Sequence, residues 1–411
     1  MKNGRLLFLK CLFTLFVFLN PIFAYDGNLK FNSDGTFKIM QLTDIHFQPE
    51  EGKKYKQKYN SYVSEFLKSE KPDLVIITGD TCYWSRLPMQ SYFDNALEPV
   101  INSKIPWALT LGNHDLESTF TGKEIVKYLQ TKPFSLVRPG PQSLGASGNY
   151  TLEVKSAKSD ITASVLYLLD SHSHHKTFIN YSKDLENQLR QSEAKPDYQM
   201  LFKKHGILAD EIYYAICKFD NKKMAAALMS NYDITLESGK VVSINKEDFS
   251  PNDNLSTGYD WISLEQINWY CNRSEYFTRR NNGIPLPSLM FFHIPLPEYS
   301  QILTHGKLIG ERLETECPPK RNSGMFAAIL EKHDVMGIFV GHDHVNDYTG
   351  FMQGVALAYG KKTGMGAYGP VQNNYGCRII VLHEGKSSFE TWVRTISGKA
   401  EKCVNIPDSF Q

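Results

Sequence analysis

An excess of charge of either sign is missing from this sequence. Its 411 residues carry 45 Lys and Arg against 44 Asp and Glu, a formal balance of +1. Such neutrality gives no electrostatic case for nucleic acid or an anionic membrane as the main partner. Cys-x-x-Cys pairs are also missing, which removes zinc knuckles and thioredoxin-type redox motifs. No Gly-x-Ser-x-Gly elbow appears, so a serine hydrolase is unsupported, and no Walker A loop is present to cradle a nucleotide. There is no internal repeat and no low-complexity tract. Beyond the N-terminal stretch no apolar run approaches the roughly 20 residues that span a bilayer. What remains is a globular composition: 42% hydrophobic and 12% aromatic residues allow a sizeable core in one large domain or two ordinary ones.

The first 24 residues read as an export signal. Lys2 and Arg5 precede an apolar run from Leu6 to Leu19, broken by Lys10, and Asn20-Pro21-Ile22-Phe23-Ala24 ends it with a cleavage site after Ala24. The alternative, an uncleaved anchor, is disfavoured by the shortness of the run. Membrane contact is then expected only through this signal during export, to a secreted or lumenal (endomembrane or lysosomal) location. Cleavage removes Cys11 and leaves Cys82, Cys217, Cys271, Cys317, Cys377 and Cys403, an even set that permits up to three disulfides in an oxidising compartment. Asn149, Asn180, Asn254 and Asn272 head Asn-x-Ser/Thr acceptors, which predicts exposed, glycosylated positions.

From about Gly35 strands and helices alternate. Phe37–Leu42, Leu74–Ile77, Trp107–Leu111, Ala163–Leu169, Ser288–Phe292 and Val335–Val340 read as strands. Tyr55–Ser69, Ser91–Ser103 and Ser263–Phe277 read as helices, the last opened by a capping box of Ser263 and Gln266. Strands near Ala356, at Arg378–Leu382 and at Phe389–Arg394 look antiparallel. Residues of about 172–254 are polar, with helices expected at Asp184–Glu193 and Asp210–Ser230, and are assigned to an insertion packed on the main domain. The organisation is therefore a signal peptide at 1–24, one domain at 25–403 carrying that insertion, and a tail at 404–411.

Chemistry collects where the apolar strands stop, which in open α/β sheets is where ligands bind. Asp44 and His46 follow the first strand at alternate positions. Gly79-Asp80 follows the second, where a small residue lets the backbone come close and a carboxylate can bridge two metals. Gly112-Asn113-His114-Asp115 follows the third, His293 ends a fourth, and Gly341-His342-Asp343-His344 closes the set. Carboxylate, amide oxygen and imidazole together suit Fe, Mn or Zn. Singly, each cluster is as readily a helix cap or a surface residue; five of them in order, each at a strand end, point to a metal site. His172, His174 and His175 either line a pocket or form a solvated loop. Arg273 and Arg321 could neutralise substrate charge, though nothing marks them out. Lys361-Lys362 reads as surface.

This series resembles the calcineurin-like metallophosphoesterase superfamily over about Phe37 to Arg394. Gly341-His342-Asp343-His344-Val345-Asn346-Asp347 and Gly258-Tyr259-Asp260-Trp261 further resemble the purple-acid-phosphatase-like group of plants and fungi. The resemblance implies an α/β fold, a four-layer α/β/β/α sandwich with two mixed β-sheets and a dinuclear site between strand ends. It implies that Asp44, His46 and His344 hold one metal, that Asn113, His293 and His342 hold the other, and that Asp80 bridges them. It also implies that His114 contacts the scissile phosphate and assists the leaving group, oriented by Asp115. Tyr83 stands at the spacing where true purple acid phosphatases place a Tyr ligand, but His46 stands where they have Gly. We assign His46 as the ligand, so no purple colour is expected.

The implied activity is an acid-phosphatase-like phosphomonoesterase acting on a small phosphoester or phosphoprotein, with a dinuclear-metal-bound hydroxide as nucleophile. The alternatives are a phosphodiesterase using the same site and a catalytically inactive binding protein.

Overall fold

The computed structural model describes residues 28–83, 88–117, 120–174, 258–305, 307–370 and 374–411, with most of 201–245. The signal segment at 1–24, Cys11, Asn180, Asn254, His175 and the helix expected at Asp184–Glu193 lie outside the described residues.

Two large sheets make the fold. In the first, β2 (Thr36–Leu42), β3 (Leu74–Thr78) and β4 (Trp107–Thr110) run parallel, and β14 (Gly376–His383), β15 (Phe389–Thr395) and β16 (Ala400–Ile406) extend it antiparallel from β2. In the second, β6 (Thr162–Leu168), β9 (Ser288–Phe291), β11 (Val335–Val340) and β13 (Val355–Tyr359) are parallel neighbours. That sheet is completed by β5 (Tyr150–Lys155) and β1 (Leu29–Lys30) on one side, and by β12 (Thr349–Met352) and β10 (Leu308–Ile309) on the other. The strand near Ala356 is thus parallel to β11 and antiparallel only to β12, a correction to the sequence expectation.

The layers follow from the period-2 alternation of strands whose two faces are both buried. In β2 and β3, Phe37, Ile39, Leu74 and Ile76 face inward and meet Leu166, Leu168, Leu289, Phe291 and Phe339 of the second sheet in one core. The intervening Met40, Leu42, Val75 and Ile77 face outward. They are covered by α1 (Gly52–Glu70), α2 (Met89–Ser103) and α3 (Gly122–Leu129). On the far side, Tyr167, Met290, Ile338 and Val340 pack under α5 (Leu264–Arg280) and α6 (Met325–Lys332). Helix, sheet, sheet, helix is therefore the order of the sandwich.

Helix α5 opens with the capping box read from sequence: Ser263 accepts from the Gln266 amide and Gln266 reaches back to the Ser263 amide. In the region of the expected insertion, α4 (Ala209–Cys217) and a hairpin of β7 (Tyr232–Thr235) and β8 (Val241–Ile244) share a small core of their own, with Ile212, Ile216, Ile234 and Ile244. The helix expected at Asp210–Ser230 is broken after Cys217, and residues 223, 226 and 227 are helical again. Residues 404–406, assigned above to a tail, complete β16, and Phe410 stacks on Phe351 with ring centroids 5.6 Å apart.

Three further expectations are corrected. Cys82, Cys271, Cys317, Cys377 and Cys403 are free thiols, so no disulfide forms among the described residues. Asn149 is only 1% exposed, and its Oδ1 accepts from the Asp170 amide and Gln266 Nε2, so this sequon is not a surface position. Asn272, on α5, is exposed. Lys361 and Lys362 are buried rather than surface residues: Lys361 Nζ donates to Asp347 Oδ2 at 2.6 Å and Lys362 Nζ to the Asp44 carbonyl at 2.8 Å. Burial presses the Lys362 amine down to about 8.

Candidate metal centre

The carboxyl ends of β2, β3 and β4 in one sheet and of β9 and β11 in the other lie together at the same end of the sandwich. The loops leaving them are stitched to each other. The Asp44 amide donates to the Gly79 carbonyl (3.2 Å), His46 to that of Asp80 (2.8 Å) and Gly341 to that of His293 (3.0 Å). Glycine is required at two of these crossings. A Cβ on Gly79 would fall 2.6 Å from the Gly112 nitrogen, and one on Gly341 would fall 2.0 Å from Thr43 Oγ1. Asp44, His46, Asp80 and His342 themselves take positive φ, which turns each strand end sharply toward the shared space.

Two donor groups result. The ligand atoms of Asp44, His46, Asp80 and His344 all lie within 4.8 Å of one another, as do those of Asp80, His293 and His342. Asp80 belongs to both groups. His46 Nε2 and His344 Nε2 approach to 2.9 Å, and both face carboxylates: His46 Nε2 is 3.5 Å from Asp80 Oδ2, and His344 Nε2 is 3.5 Å from Asp44 Oδ1. His293 Nε2 is 3.1 Å from Asp80 Oδ2 yet makes no hydrogen bond. Asn113 Oδ1 is buried with no hydrogen-bond partner. An orphaned buried acceptor is costly in a folded protein. Amide oxygen, carboxylates and imidazole nitrogens aimed at one space are the donor set that cations relieve.

Surrounding groups fix the imidazoles for that task. His293 Nδ1 lies 2.7 Å from the Thr78 carbonyl and His344 Nδ1 2.9 Å from that of Tyr368, so each Nδ1 donates to a carbonyl and each Nε2 is the atom left for the shared space. Burial disfavours a charged His293, but the Asp80 carboxylate more than offsets this and raises its imidazole to about 9. Burial pushes His46 and His342 well below the ordinary imidazole range and His344 down to about 2, which keeps them neutral. Burial opposes ionisation of Asp80, but His293 and His114 outweigh it and hold that carboxyl well below its usual range. The residues present therefore fit a pair of metal ions.

The structure brings together six of the side chains the sequence put forward as ligands, Asp44, His46, Asp80, His293, His342 and His344; the seventh, Asn113, is buried in the adjoining loop, where the next residue, His114, donates its amide to Asp80 Oδ1 at 2.9 Å. Tyr83 is 38% exposed, with its ring edge-on to His46 at 5.7 Å, while His46 is fully buried. Asp115 departs from expectation. Its carboxylate accepts from the amides of Thr81, Cys82 and Gly112, at 2.9, 3.0 and 2.9 Å, and so braces the loops. The orienting carboxylate of His114 is instead Glu117, whose Oε2 is 2.7 Å from His114 Nδ1. Sequence reasoning missed Glu117. Its only signal is the three-residue step from His114, which a 3₁₀ turn at His114–Leu116 places on the same side. His174 joins the site, 3.3 Å from Glu117 Oε1, and His172 does not, being 2.7 Å from Gln266 Oε1. Arg321 lies over the Trp261 ring, and Arg273 lies against Tyr276 and Phe277.

The model of the calcineurin-like phosphoesterase family matches residues 37–239, so the chain carries a domain of that family. Within it, the relatives are purple-acid-phosphatase-like. The chain is 27% identical to "Probable inactive purple acid phosphatase 29" of Arabidopsis thaliana, over 99% of this chain and 95% of the relative. It is 28% identical to "Probable inactive purple acid phosphatase 14" of the same plant, over 89% and 79% respectively. It is 27% identical to "Phosphatase DCR2" of Saccharomyces cerevisiae, over 81% of this chain and 48% of the relative. Among solved structures, a dimetal phosphatase from Danio rerio overlays with a TM-score of 0.48 at 13% identity, covering 90% of this chain and 98% of that one.

Proposed function

We propose that the protein is a metal-dependent phosphomonoesterase of acid-phosphatase character. The observation that carries this reading is the pair of buried donor groups sharing Asp80, each built of imidazoles and carboxylates whose ligand atoms lie within 4.8 Å of one another. When bound, a pair of cations lowers the pKa of a water toward neutrality and screens the phosphoryl charge. Asp44, His46 and His344 would hold one ion, Asn113, His293 and His342 the other, with Asp80 between them; Fe, Zn and Mn all suit these donors. His114 is the group left open to substrate. Its side chain is 30% exposed, against 0% for His46 and 1% for Asp80. Burial lowers its proton affinity, but the Asp80 charge and the Glu117 hydrogen bond more than offset this and hold the imidazole at about 9, so it carries a proton to give. The Tyr83 ring lies beside it at 5.7 Å, and Tyr259 stands edge-on to His342 at 4.4 Å. The same reading includes export through residues 1–24 and a small phosphoester or phosphoprotein substrate.

The test compares kcat/KM for p-nitrophenyl phosphate and bis-p-nitrophenyl phosphate on metal-loaded protein. A preference for the monoester supports the proposal, and a preference for the diester replaces it with a phosphodiesterase. The names of the Arabidopsis relatives favour a second reading, a protein that binds phosphoesters without turnover. Full metal content with no hydrolysis of either ester would establish that one.

A further inference from the structure

One carboxylate beside the centre has two imidazole partners and no part in holding metal. Glu117 Oε2 is 2.7 Å from His114 Nδ1, and Glu117 Oε1 is 3.3 Å from His174 Nε2. The three residues come from two separate segments, so the contact is tertiary. His114 and Glu117 are fixed to each other by the short turn after β4. His174 is fixed from elsewhere. It forms an isolated bridge with Tyr259, the Asp260 amide donates to the Ser173 carbonyl at 2.8 Å, and the His174 and Tyr259 rings stack 5.0 Å apart. Tyr259 in turn abuts His342.

Resting on the phosphoesterase reading above, we propose that Glu117 is the positioning residue of the leaving-group step. By accepting the Nδ1 proton of His114 it commits that imidazole to delivering its Nε2 proton, and His174 clamps the second carboxylate oxygen so that Glu117 cannot swing away. As a water oxygen bonds to phosphorus the ester P–O bond breaks, and the departing oxygen keeps that bonding pair and takes the Nε2 proton; solvent restores the proton in the next cycle. A carboxylate left to rotate toward solvent would let the ring turn, and the proton would no longer be aimed at the departing oxygen. The charge state agrees with the geometry: burial of Glu117 opposes ionisation, but the hydrogen bonds from His114 and His174 keep its carboxyl below the ordinary range.

The inference separates a poor leaving group from a good one. Phenolate needs a proton as it leaves, whereas p-nitrophenolate needs one far less. In Glu117→Gln, kcat/KM for phenyl phosphate is expected to fall about 100-fold, within the span typical of general acid catalysis. For p-nitrophenyl phosphate the fall is expected to be less than about 10-fold, because that leaving group demands little of the acid. Metal content, read by elemental analysis, stays at the wild-type value. His174→Phe keeps the ring on Tyr259 and removes the nitrogen facing Glu117, so it should show the same leaving-group selectivity with a smaller loss. Nitrogen-15 NMR of the imidazoles provides a readout apart from turnover: the proton on His114 Nδ1 should be strongly deshielded in the wild type and lose that shift in Glu117→Gln. Equal losses for the two esters in both variants, with metal retained, overturn the proposal and leave the phosphoesterase reading intact. A metal-loaded wild type that hydrolyses neither ester overturns both.

Discussion

Positive φ at a residue with a Cβ is held only where the surroundings over-determine it, at a cost of order 1–3 kcal/mol. Asp44, His46, Asp80 and His342 all adopt it, and all four point donors into the shared space. Placement of ligands therefore takes precedence over local comfort at this end of the molecule. At the other end of β11, Asp334 shows what burial does to a carboxylate with no cation near it. Tyr167 donates to its Oδ2 at 2.8 Å and Tyr270 to its Oδ1, yet desolvation outweighs these bonds and raises its pKa. The neutral form is thus favoured in the folded state. Below the unfolded value of about 4 both states are protonated and the group is silent. As pH rises past that point the unfolded chain releases its proton first, so the stability contribution is lost through the raised folded pKa. Denaturant unfolding should show wild-type stability falling relative to Asp334→Asn as pH rises above about 4; a difference that is constant or reversed would contradict this. The ligands were legible in the sequence because each stands at the end of an apolar run. Glu117 was not, because the property that matters, its distance from His114 and His174, is tertiary. Lys361 and Lys362 misled because lysine is almost never buried unless paired, and their acceptors, Asp347 and the Asp44 carbonyl, come from distant loops.

Among the elements, α5 shows how a local signal is reused by the tertiary structure. The Ser263 and Gln266 capping box was legible as a four-residue pattern. What the pattern did not reveal is that Gln266 is fully buried, with Nε2 donating to Asn149 Oδ1 and to the Asp170 carbonyl, at 2.9 and 2.7 Å, and Oε1 facing His172. Ser263→Ala should remove only the cap, about 1 kcal/mol. Gln266→Leu takes the side-chain donor from the Asp170 carbonyl, one of two donors from Asn149 Oδ1 and the partner of His172 Nε2, and should cost roughly 3 kcal/mol or more. Chemical denaturation of the two variants checks the order, and equal losses would show that the cap alone matters. Strand pairing was the least legible property. The run at Val355–Tyr359 is apolar on both faces whichever way its neighbours run, so only the path of the chain decides that β11 is parallel to it and β12 antiparallel.

For the whole molecule, the central fact is that neither sheet owns the site. Asp44, His46, Asp80 and Asn113 leave one sheet, His293, His342 and His344 leave the other, and an apolar core containing Phe37, Ile39, Phe291 and Phe339 holds the two in register. The alternation of strands and helices announced such layers, whereas the convergence of strand ends from two sheets needed the fold itself. Cations bound across the seam would tie the sheets together, and removing them should loosen both. At a metal concentration of about 1,000 times the dissociation constant the linkage is worth ~4 kcal/mol. For a domain of this size that predicts a fall in Tm of roughly 5–10 °C on chelation. An unchanged Tm after verified metal removal would mean that the ions do not bridge the halves. The most direct measurement is the metal content of purified wild type beside Asp80→Asn, by elemental analysis after extensive dialysis. Two equivalents per chain in the wild type and fewer than one in the variant are expected, since Asp80 is the carboxylate shared by both donor groups; a wild type without bound metal, or an Asp80→Asn protein that still retains two equivalents, would contradict a shared dinuclear centre.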